Sequence, residues 1–310
     1  MRANIWRKFR QQAKVAREVI LPGSIIVGLV LIARLTGFLQ LYEWMALDSF
    51  SRNCSLYDIP ARVTIVSIDE TDLRMFGGFP LSDGELAKAL RIVNEYKPRV
   101  IGIDIFRDLP VGKNNASLIK AFKEIPNIVG IEVALNEKET LNVKPPPGLP
   151  LQRIGFADVL VDADGKFRRS LLASRDWNGE LKYSFVTQVA NIYLSSQGFD
   201  FQHGKSVKNP IKFGSIEIPP FESDTGGYVN ADSNGNQMLV NFCSSQKPLT
   251  YIHLRDIIAR KFSPEMLNNR AVIFGVTAAS VKDTLITSAL NYTLFSSIAG
   301  QQESMPNQII

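Results

Sequence analysis

Polar side chains follow three apolar segments of the chain, at points where strands of a parallel sheet would end. They are Asp69, Asp72, Asp104, Thr277 and Asp283. The carboxyl ends of parallel strands share one edge of a sheet, and ligands bind at that edge. A cluster of Asp69, Asp104 and Asp283 could therefore bind a cation or a polyol, or orient a basic ligand. The same acids could instead cap helices and turns and face solvent, and their spacing leaves both interpretations open.

The segment Asp162-Ala-Asp-Gly165 has the residue types of a calcium-binding loop. The EF-hand pattern fails, because Leu160 would occupy the first ligand position and no Glu closes the loop. A tight turn with Gly165 at positive φ is the preferred prediction. Arg168 and Arg169 either pair with the strand-end acids or are solvated, and Arg168 joins the five residues above as a candidate ligand-binding residue.

Motifs of enzymatic chemistry are absent from the sequence. It has two isolated histidines, His203 and His253, and no P-loop, G-x-S-x-G or G-x-G-x-x-G motif. Its two cysteines, Cys54 and Cys243, form no zinc-binding pattern; one disulfide and two ordinary thiols both remain open. We therefore predict no catalytic residue, no metal and no cofactor.

The positive charge of the chain is confined to its N-terminus. The net charge is +5, and residues 1–18 carry six basic residues and one acidic residue. The rest has 29 basic and 29 acidic residues and is neutral, so nucleic acid is not an expected partner. A mean hydropathy near zero excludes a protein with many membrane spans.

One membrane anchor is predicted after the basic tail. Val19–Ala33 has no charged residue, and the apolar pattern resumes at Leu35–Tyr42 beyond Arg34. A span needs about 20 residues, which Ile20–Leu41 supplies if the Arg34 side chain snorkels to the headgroups. Lysine and arginine before a span keep the N-terminus in the cytoplasm, so the remainder is expected outside. A cleaved signal peptide and a buried helix are the competing interpretations, although no A-x-A-like cleavage site follows.

The remaining chain predicts an α/β domain. Val63–Ile68 and Val100–Ile105 are apolar strands, and Ser82 with Glu85 forms a capping box for the helix between them. This is a βαβ unit, which predicts a parallel pair. The other predicted elements are helices at 115–124, Tyr183–Leu194 and Leu254–Arg260, strands at Asn127–Val133, Val159–Val161, Met238–Phe242 and Ala271–Phe274, and loops with a hairpin at 198–236.

The fold class predicted is therefore a mostly parallel sheet with flanking helices and an irregular insertion, preceded by one transmembrane helix. The domain organisation predicted is a cytoplasmic tail (1–18), an anchor (19–42), a linker (43–61), an extracytoplasmic α/β domain (62–295) and a tail (296–310).

Several segments, in order, resemble the type-two CHASE domain, an extracytoplasmic sensory domain associated with cyclases and histidine kinases. The resemblance covers roughly 62–290 and rests on Val63-Thr-Ile-Val-Ser-Ile-Asp-Glu-Thr-Asp72, Val100-Ile-Gly-Ile-Asp-Ile105, Gly155-Phe-Ala-Asp-Val-Leu-Val-Asp-Ala-Asp-Gly165 with Arg168 and Arg169, Leu239-Val-Asn-Phe242, Leu254-Arg-Asp-Ile257, and Val272-Ile-Phe-Gly-Val-Thr277 with Asp283 and Thr287.

The chain departs from that family in two places. Gly78-Phe-Pro-Leu-Ser82 stands where the family usually has a Trp-Pro-Trp-like loop with an arginine, and Ser288 stands where a proline is expected. In such proteins the sensor is followed by transmembrane helices and a cytoplasmic output domain, and this sequence ends at Ile310, where another helix would begin. We expect either the N-terminal piece of a longer receptor or a protein consisting of the sensor alone.

Together these features predict a single-pass sensor in the cell membrane, which binds an unknown small molecule outside the cytoplasm. It would relay the signal through its anchor, or to a cytoplasmic output partner or a C-terminal output domain, and it could form a homodimer. The alternatives are a membrane-tethered, metal-assisted hydrolase that uses the strand-end carboxylates, and a ligand-free dimerisation module.

Overall fold

The computed structural model describes residues 14, 16–52, 62–135, 141–242, 249–281, 284–287 and 293–295. The chain divides into two compact units. The smaller unit comprises residues 1–49 and 222–232, and the larger comprises residues 50–221 and 233–310. Each unit is described separately below.

The smaller unit is built on an apolar helix. A π-helical turn, Ala16–Ile20, leads into α1, Leu21–Leu35, and a turn then connects to α2, Gln40–Arg52. The stretch Arg17–Leu35 has 19 residues and a mean hydropathy of 2.0, which by length and composition alone allows it to cross a membrane. The helix ends at Leu35 rather than continuing to Leu41, and Gly37 in the turn has a φ of +77°. Glycine adopts that left-handed conformation without steric cost.

A parallel sheet forms the centre of the larger unit. Among the described residues it has six strands: Val63–Ile68 (β1), Val100–Asp104 (β2), Ile128–Glu132 (β3), Ile154–Phe156 (β4), Thr250–His253 (β12) and Ala271–Val276 (β13). Their order in the sheet is β12–β1–β13–β2–β3–β4, and every neighbouring pair is parallel. The central strands are buried on both faces, which explains their almost continuous apolar sequences.

Helices cover both faces of this sheet. They are α3, Glu70–Met75; α4, Asp83–Glu95; α5, Asn115–Glu124; α6, Phe185–Ser195; and α7, Leu254–Ala259. Helix α4 packs between α5 and α7, over a core that includes Val66. Helix α6 packs on the opposite face, where Phe185 contacts a core that includes Ile65. Successive strand residues point to opposite faces, so each adjacent pair contributes to both cores.

Three small sheets of three strands complete the described part of the larger unit. They consist of β6, β7 and β11 (Arg169–Arg175, Leu181–Tyr183, Asn236–Leu239); β8, β9 and β10 (Phe201–His203, Ile211–Phe213, Ile216–Ile218); and β5, β14 and β15 (Lys166–Phe167, Thr284–Thr287, Thr293–Phe295). The segment predicted as loops and one hairpin therefore contains a second antiparallel pairing.

The mixed α/β class with a parallel sheet is confirmed, and several bounds agree with the sequence. Strand β1 and helix α5 have the predicted ends, and Leu86, Leu90 and Val93 of α4 are fully buried as expected. Ser82 caps α4 by accepting a hydrogen bond from the Glu85 backbone N–H.

Three predictions of local structure are wrong. Strands β1 and β2 are not adjacent, because β13 lies between them. The strand predicted at Val159–Val161 is a single bridge at Leu160, and the fourth strand is Ile154–Phe156 instead. Tyr183 ends strand β7, so the helix begins two residues later, with Ser184 as its N-cap. Gly155 allows this arrangement, since a Cβ atom there would lie 2.4 Å from Cα of Phe185.

Candidate functional site

The carboxyl edge of the parallel sheet brings together polar residues from distant parts of the sequence. Strand β1 ends before Asp69, β13 ends before Thr277, and β2 ends at Asp104. The backbone N–H of Thr277 donates to the Ile68 carbonyl at 2.9 Å, which places those two strand ends side by side. Asp69 and Asp104 follow strands that are separated by β13, so the two strands are about 10 Å apart. The two acids therefore lie at different parts of the edge.

Asp69 and Asp72 form a reciprocal capping box at the start of α3. The Asp72 backbone N–H donates to Oδ1 of Asp69 at 2.9 Å, and the Asp69 backbone N–H donates to Oδ2 of Asp72 at 3.1 Å. The side chain of Asp72 is completely buried. The two acids therefore cap a helix, as one of the two sequence interpretations proposed, but Asp72 does not face solvent as that interpretation also expected.

Residues from β12 and α7 complete a cluster around these acids. Nη1 of Arg255 lies 2.9 Å from both carboxylate oxygens of Asp69 and 3.3 Å from Oδ1 of Asp72. The Arg255 backbone N–H also donates to Oδ1 of Asp72, at 2.9 Å. Nδ1 of His253 lies 3.2 Å from Oδ2 of Asp69 and 3.0 Å from Oγ of Ser67.

These contacts shift the pKa values of the Asp69 and Asp72 carboxyl groups in opposite directions. Partial burial raises the pKa of Asp69, but hydrogen bonds from Arg255 and from the Asp72 backbone outweigh it, so the pKa is below its ordinary value. Burial dominates at Asp72 and raises its pKa. Arg255 therefore stabilises the ionised form of Asp69, while burial opposes ionisation of Asp72.

The same cluster has the ligand types of a metal site. Ligand atoms of Asp69, Asp72 and His253 all lie within 4.8 Å of one another. The Arg255 guanidinium already supplies a positive charge among them, and a metal ion would have to compete with it. The geometry therefore favours an ion-pair network that joins β12 to β1 over the metal centre that a hydrolase requires.

A cavity of about 230 Å³ opens at the other part of the edge, beside Asp104. One wall is the Phe79–Pro80 segment, and another is Phe106–Leu109. Val276 contributes from the end of β13 and Val281 from the short helical turn that follows it. Phe79 and Phe106 are 51% and 40% exposed, while Asp104 is 9% exposed. The cavity thus combines apolar walls and a carboxylate, which is the usual composition of a small-molecule site.

A buried ion pair fixes the walls of this cavity. Arg107 donates from Nη2 to the Leu81 carbonyl at 2.7 Å and from Nη1 to the Phe106 carbonyl at 2.9 Å. Its Nε lies 3.4 Å from Oδ1 of Asp83, and both side chains are buried. Oδ2 of Asp83 accepts a hydrogen bond from the Val111 backbone N–H at 3.0 Å. The two walls are therefore tied to the start of α4.

Arg168 and Arg169 bind the turn Asp162–Gly165, so the alternative that they are solvated is wrong. Arg168 donates to Oδ2 of Asp162 at 2.9 Å and to Oδ2 of Asp164 at 2.6 Å, and Arg169 donates to Oδ1 of Asp162 at 2.8 Å. The two arginines are not solvated, since Arg168 and Arg169 are 2% and 8% exposed. Gly165 has a φ of +81°, which confirms the tight turn.

Sequence reasoning missed His253, Arg255 and the cavity walls. Arg255 lies in the segment Leu254-Arg-Asp-Ile257, which carries part of the family resemblance, and that was the available signal. Asp283, Cys54 and Cys243 lie outside the described residues.

The comparison with known families agrees with this architecture. A model of the CHASE2 domain matches residues 25–304. The chain therefore belongs to the CHASE2 family, a family of extracellular sensory domains, as the resemblance implied. No curated protein and no solved structure shows significant similarity to it.

Proposed function

We propose that this chain is a single-pass sensor of the cell membrane. In this proposal the N-terminal tail is cytoplasmic, the apolar helix is the anchor, and the α/β domain outside binds a small-molecule signal at the carboxyl edge of its sheet. The family, the basic tail and the apolar helix support this proposal. The signal would be relayed through the anchor helix.

One observation carries the relay: the segment 222–232 packs on the turn between α1 and α2. We call this contact the anchor junction, formed by residues 34–44 and 222–232, all within the smaller unit. The Trp44 and Tyr228 side chains are 3% and 1% exposed, and their ring centroids are 5.2 Å apart. The Val229 backbone N–H donates to Oε1 of Gln40 at 2.8 Å.

The junction also binds the arginine at the end of the apolar helix. Nε of Arg34 lies 2.6 Å from Oε1 of Glu43, and its Nη2 donates to the Gly226 carbonyl at 2.8 Å. The sequence predicts that the Arg34 side chain snorkels to the lipid headgroups. Its ion pair with Glu43 instead neutralises the charge where the helix ends, and the hydrogen bond fastens the segment to the helix.

Within the larger unit, Phe221 belongs to a buried network. The Phe221 backbone N–H donates to the Gln237 carbonyl at 2.7 Å, and the Arg169 guanidinium lies 5.1 Å from the centroid of the Phe221 ring. Arg169 in turn binds Asp162.

The test uses the full chain, without its two cysteines, reconstituted in lipid nanodiscs. We expect a broad set of small solutes to contain at least one that raises the melting temperature. That solute should also change the mobility of a spin label at Lys14→Cys, on the other side of the anchor. Trp44→Ala should keep the thermal response and lose the label response, whereas Trp177→Ala, at an exposed tryptophan, should keep both.

Two results would contradict the proposal. If no solute in the library raises the melting temperature, the claim that the domain binds a small-molecule signal is contradicted. If a solute stabilises the protein but does not change the mobility of the spin label at position 14, the claim of a relay through the anchor is contradicted. The chain would then be a binding domain only.

A further inference from the structure

Helix α2 and the turn before it carry exposed apolar side chains. We call four of them the interfacial stripe: Phe38, Leu41, Tyr42 and Met45. We propose that this stripe binds the outer surface of the membrane, in the zone of the lipid headgroups and the upper acyl chains. The inference deepens the proposed function and rests on it, because it requires α1 to cross the membrane.

The stripe lies on one face of α2. Leu41, Tyr42 and Met45 have the i, i+1 and i+4 spacing of neighbours on a helix surface, and Phe38 precedes them in the turn. The exposed fraction of these side chains runs from 58% at Leu41 to 77% at Phe38. An apolar patch exposed at one place marks an interaction surface.

The opposite face of α2 is already occupied by protein. Trp44 packs against Tyr228, and Oε1 of Gln40 accepts a hydrogen bond from the backbone of segment 222–232. Asp48, one turn after Trp44 on the same face, is 1% exposed. The helix is therefore amphipathic, with its packed face in the anchor junction and its apolar face directed away from it.

The length of the spanning helix places the stripe at the headgroups. The stretch Arg17–Leu35 has 19 residues, which at 1.5 Å per residue cover about 28 Å, close to the hydrocarbon thickness of about 30 Å. The headgroup zone adds about 5–8 Å on each side. Residues 36–39 form a turn, closed by the bond from the Gln40 backbone N–H to the Gly37 carbonyl. Since a turn advances less than extended chain, the stripe begins within this zone.

The residue types of the stripe suit this zone. Tyrosine is enriched at headgroup level because its ring is amphipathic, and interfacial helices bury phenylalanine and leucine about 5–10 Å into the boundary. The ion pair of Arg34 with Glu43 neutralises the charge at the end of α1. The stripe itself is uncharged, so the surface charge of the membrane should have little effect on its binding.

A second copy of the chain suits the stripe less well. A stable interface between proteins has about 20–30 residues on each side, whereas the stripe has four. The membrane requires no such area, because α1 already holds the chain at the surface and the contact is intramolecular in effect.

The test measures the depth of spin labels in the full chain without its two cysteines, with one chain in each phosphatidylcholine nanodisc. Oxygen concentrates in lipid and a nickel chelate stays in water, so the ratio of their collision rates with a label reports its depth. We expect a high oxygen-to-nickel ratio for a label at Leu41→Cys, as for one at Ile26→Cys within α1. A label at Trp177→Cys, an exposed position in the larger unit, should have a low ratio.

Two sets of substitutions test the stripe itself. Tyr42→Glu with Met45→Glu keeps good helix formers but places two charges on the apolar face, so the ratio at position 41 should fall to that at position 177. Trp177→Glu makes the same kind of change at an exposed aromatic residue elsewhere and should leave the ratio at position 41 unchanged. If the double variant does not fold, the ratios at positions 41 and 177 of the chain with an intact stripe decide the matter.

A low ratio at position 41 beside a high ratio at position 26 would overturn the assignment. A ratio at position 41 that the two glutamates leave unchanged would also overturn it. Protection of position 41 from both reagents only in discs that hold two chains would assign the stripe to a second copy instead.

These failures are distinguishable from failure of the proposed function. A low ratio at position 26 would show that α1 does not cross the membrane, which contradicts the proposed function itself. With a high ratio at position 26, the sensor proposal stands if a solute stabilises the chain and changes the mobility of the label at position 14.

Discussion

The guanidinium of Arg255 and the carboxylate of Asp69 are in contact across 186 positions of sequence, with Nη1 2.9 Å from both carboxylate oxygens. Asp69 follows β1, the second strand of the sheet, and Arg255 lies in the first turn of α7, after edge strand β12. The pair fastens the edge strand and its helix to the centre of the sheet. The carboxylate of Asp69 could have bound a cationic ligand, but it binds the guanidinium of Arg255 instead.

Replacement of Arg255 should therefore loosen this edge. Arg255→Gln should reduce the free energy of unfolding by about 1–2 kcal/mol, since the lost interaction is charge-assisted but partly solvated. Arg260→Gln, in the same part of the chain, removes a bidentate pair with Glu95 that is exposed on both sides, and we expect little change. Chemical unfolding of the full chain in detergent measures both, and equal effects would contradict the assigned role.

The network around Asp162 should be much more costly to break. Asp162 is 5% exposed and binds both Arg168 and Arg169, so Asp162→Asn leaves two buried guanidinium groups short of negative charge. We expect a loss of about 3–5 kcal/mol, as is typical when one member of a buried ion pair is removed. Asp164→Asn is the matched control, because its side chain is 22% exposed and pairs with only one of these two arginines, Arg168, and it should cost clearly less. The reverse order would show that the network is not organised around Asp162.

Acidification should remove the contribution of the Asp164 carboxylate to the stability of the folded chain. The hydrogen bond from Arg168 lowers the pKa of Asp164 below the ordinary 3.8. The unfolded chain then binds more protons than the folded chain near that pH, so the stabilisation is complete above the unfolded value and is lost as the pH falls through the folded one. The difference in melting temperature between the wild type and Asp164→Asn should be constant from about pH 7 to about pH 5 and shrink below about pH 4. A difference that grows on acidification would have the wrong sign.

The anchor junction can be tested for direct coupling. Trp44→Ala and Tyr228→Ala should each destabilise the smaller unit by about 3–5 kcal/mol, because both side chains are almost fully buried. In a double-mutant cycle the two rings should show a coupling of about 0.5–1.5 kcal/mol beyond the area they bury. Additive effects would mean that the two side chains do not stabilise one another, and the relay would lose its main contact.

Local elements could be predicted from the sequence because their signals are local. The apolar run of β1 and the 3.6-residue period of α4 require no knowledge of distant residues. Strand β12 has four residues, Thr250–His253, and becomes a strand only by pairing with β1. The choice of Val159–Val161 over Ile154–Phe156 failed for a related reason, since pairing with β3 rather than β-branched composition decides the fourth strand.

Only the part of the candidate site that follows from the ends of the strands could be predicted from the sequence. Asp69, Asp104 and Thr277 could be placed at one edge, since parallel strands end there. The division of that edge into an ion-pair cluster and an apolar cavity could not be predicted. It depends on Arg255, on the Phe79–Pro80 segment and on the Asp83–Arg107 pair, and each of these contacts joins segments far apart in sequence.

The side of the membrane on which the α/β domain lies is the most direct test of the central claim. Lys144→Cys, in a chain with Cys54→Ser and Cys243→Ser, places one exposed thiol in the loop after β3. Intact bacterial cells that express the chain are treated with a maleimide that cannot cross the bilayer, and Lys8→Cys in the basic tail serves as the opposite control. We predict that the cysteine at position 144 is labelled in intact cells and the one at position 8 only after lysis. Labelling of position 144 only after lysis would place the domain in the cytoplasm and contradict the account of this chain as an extracytoplasmic sensor.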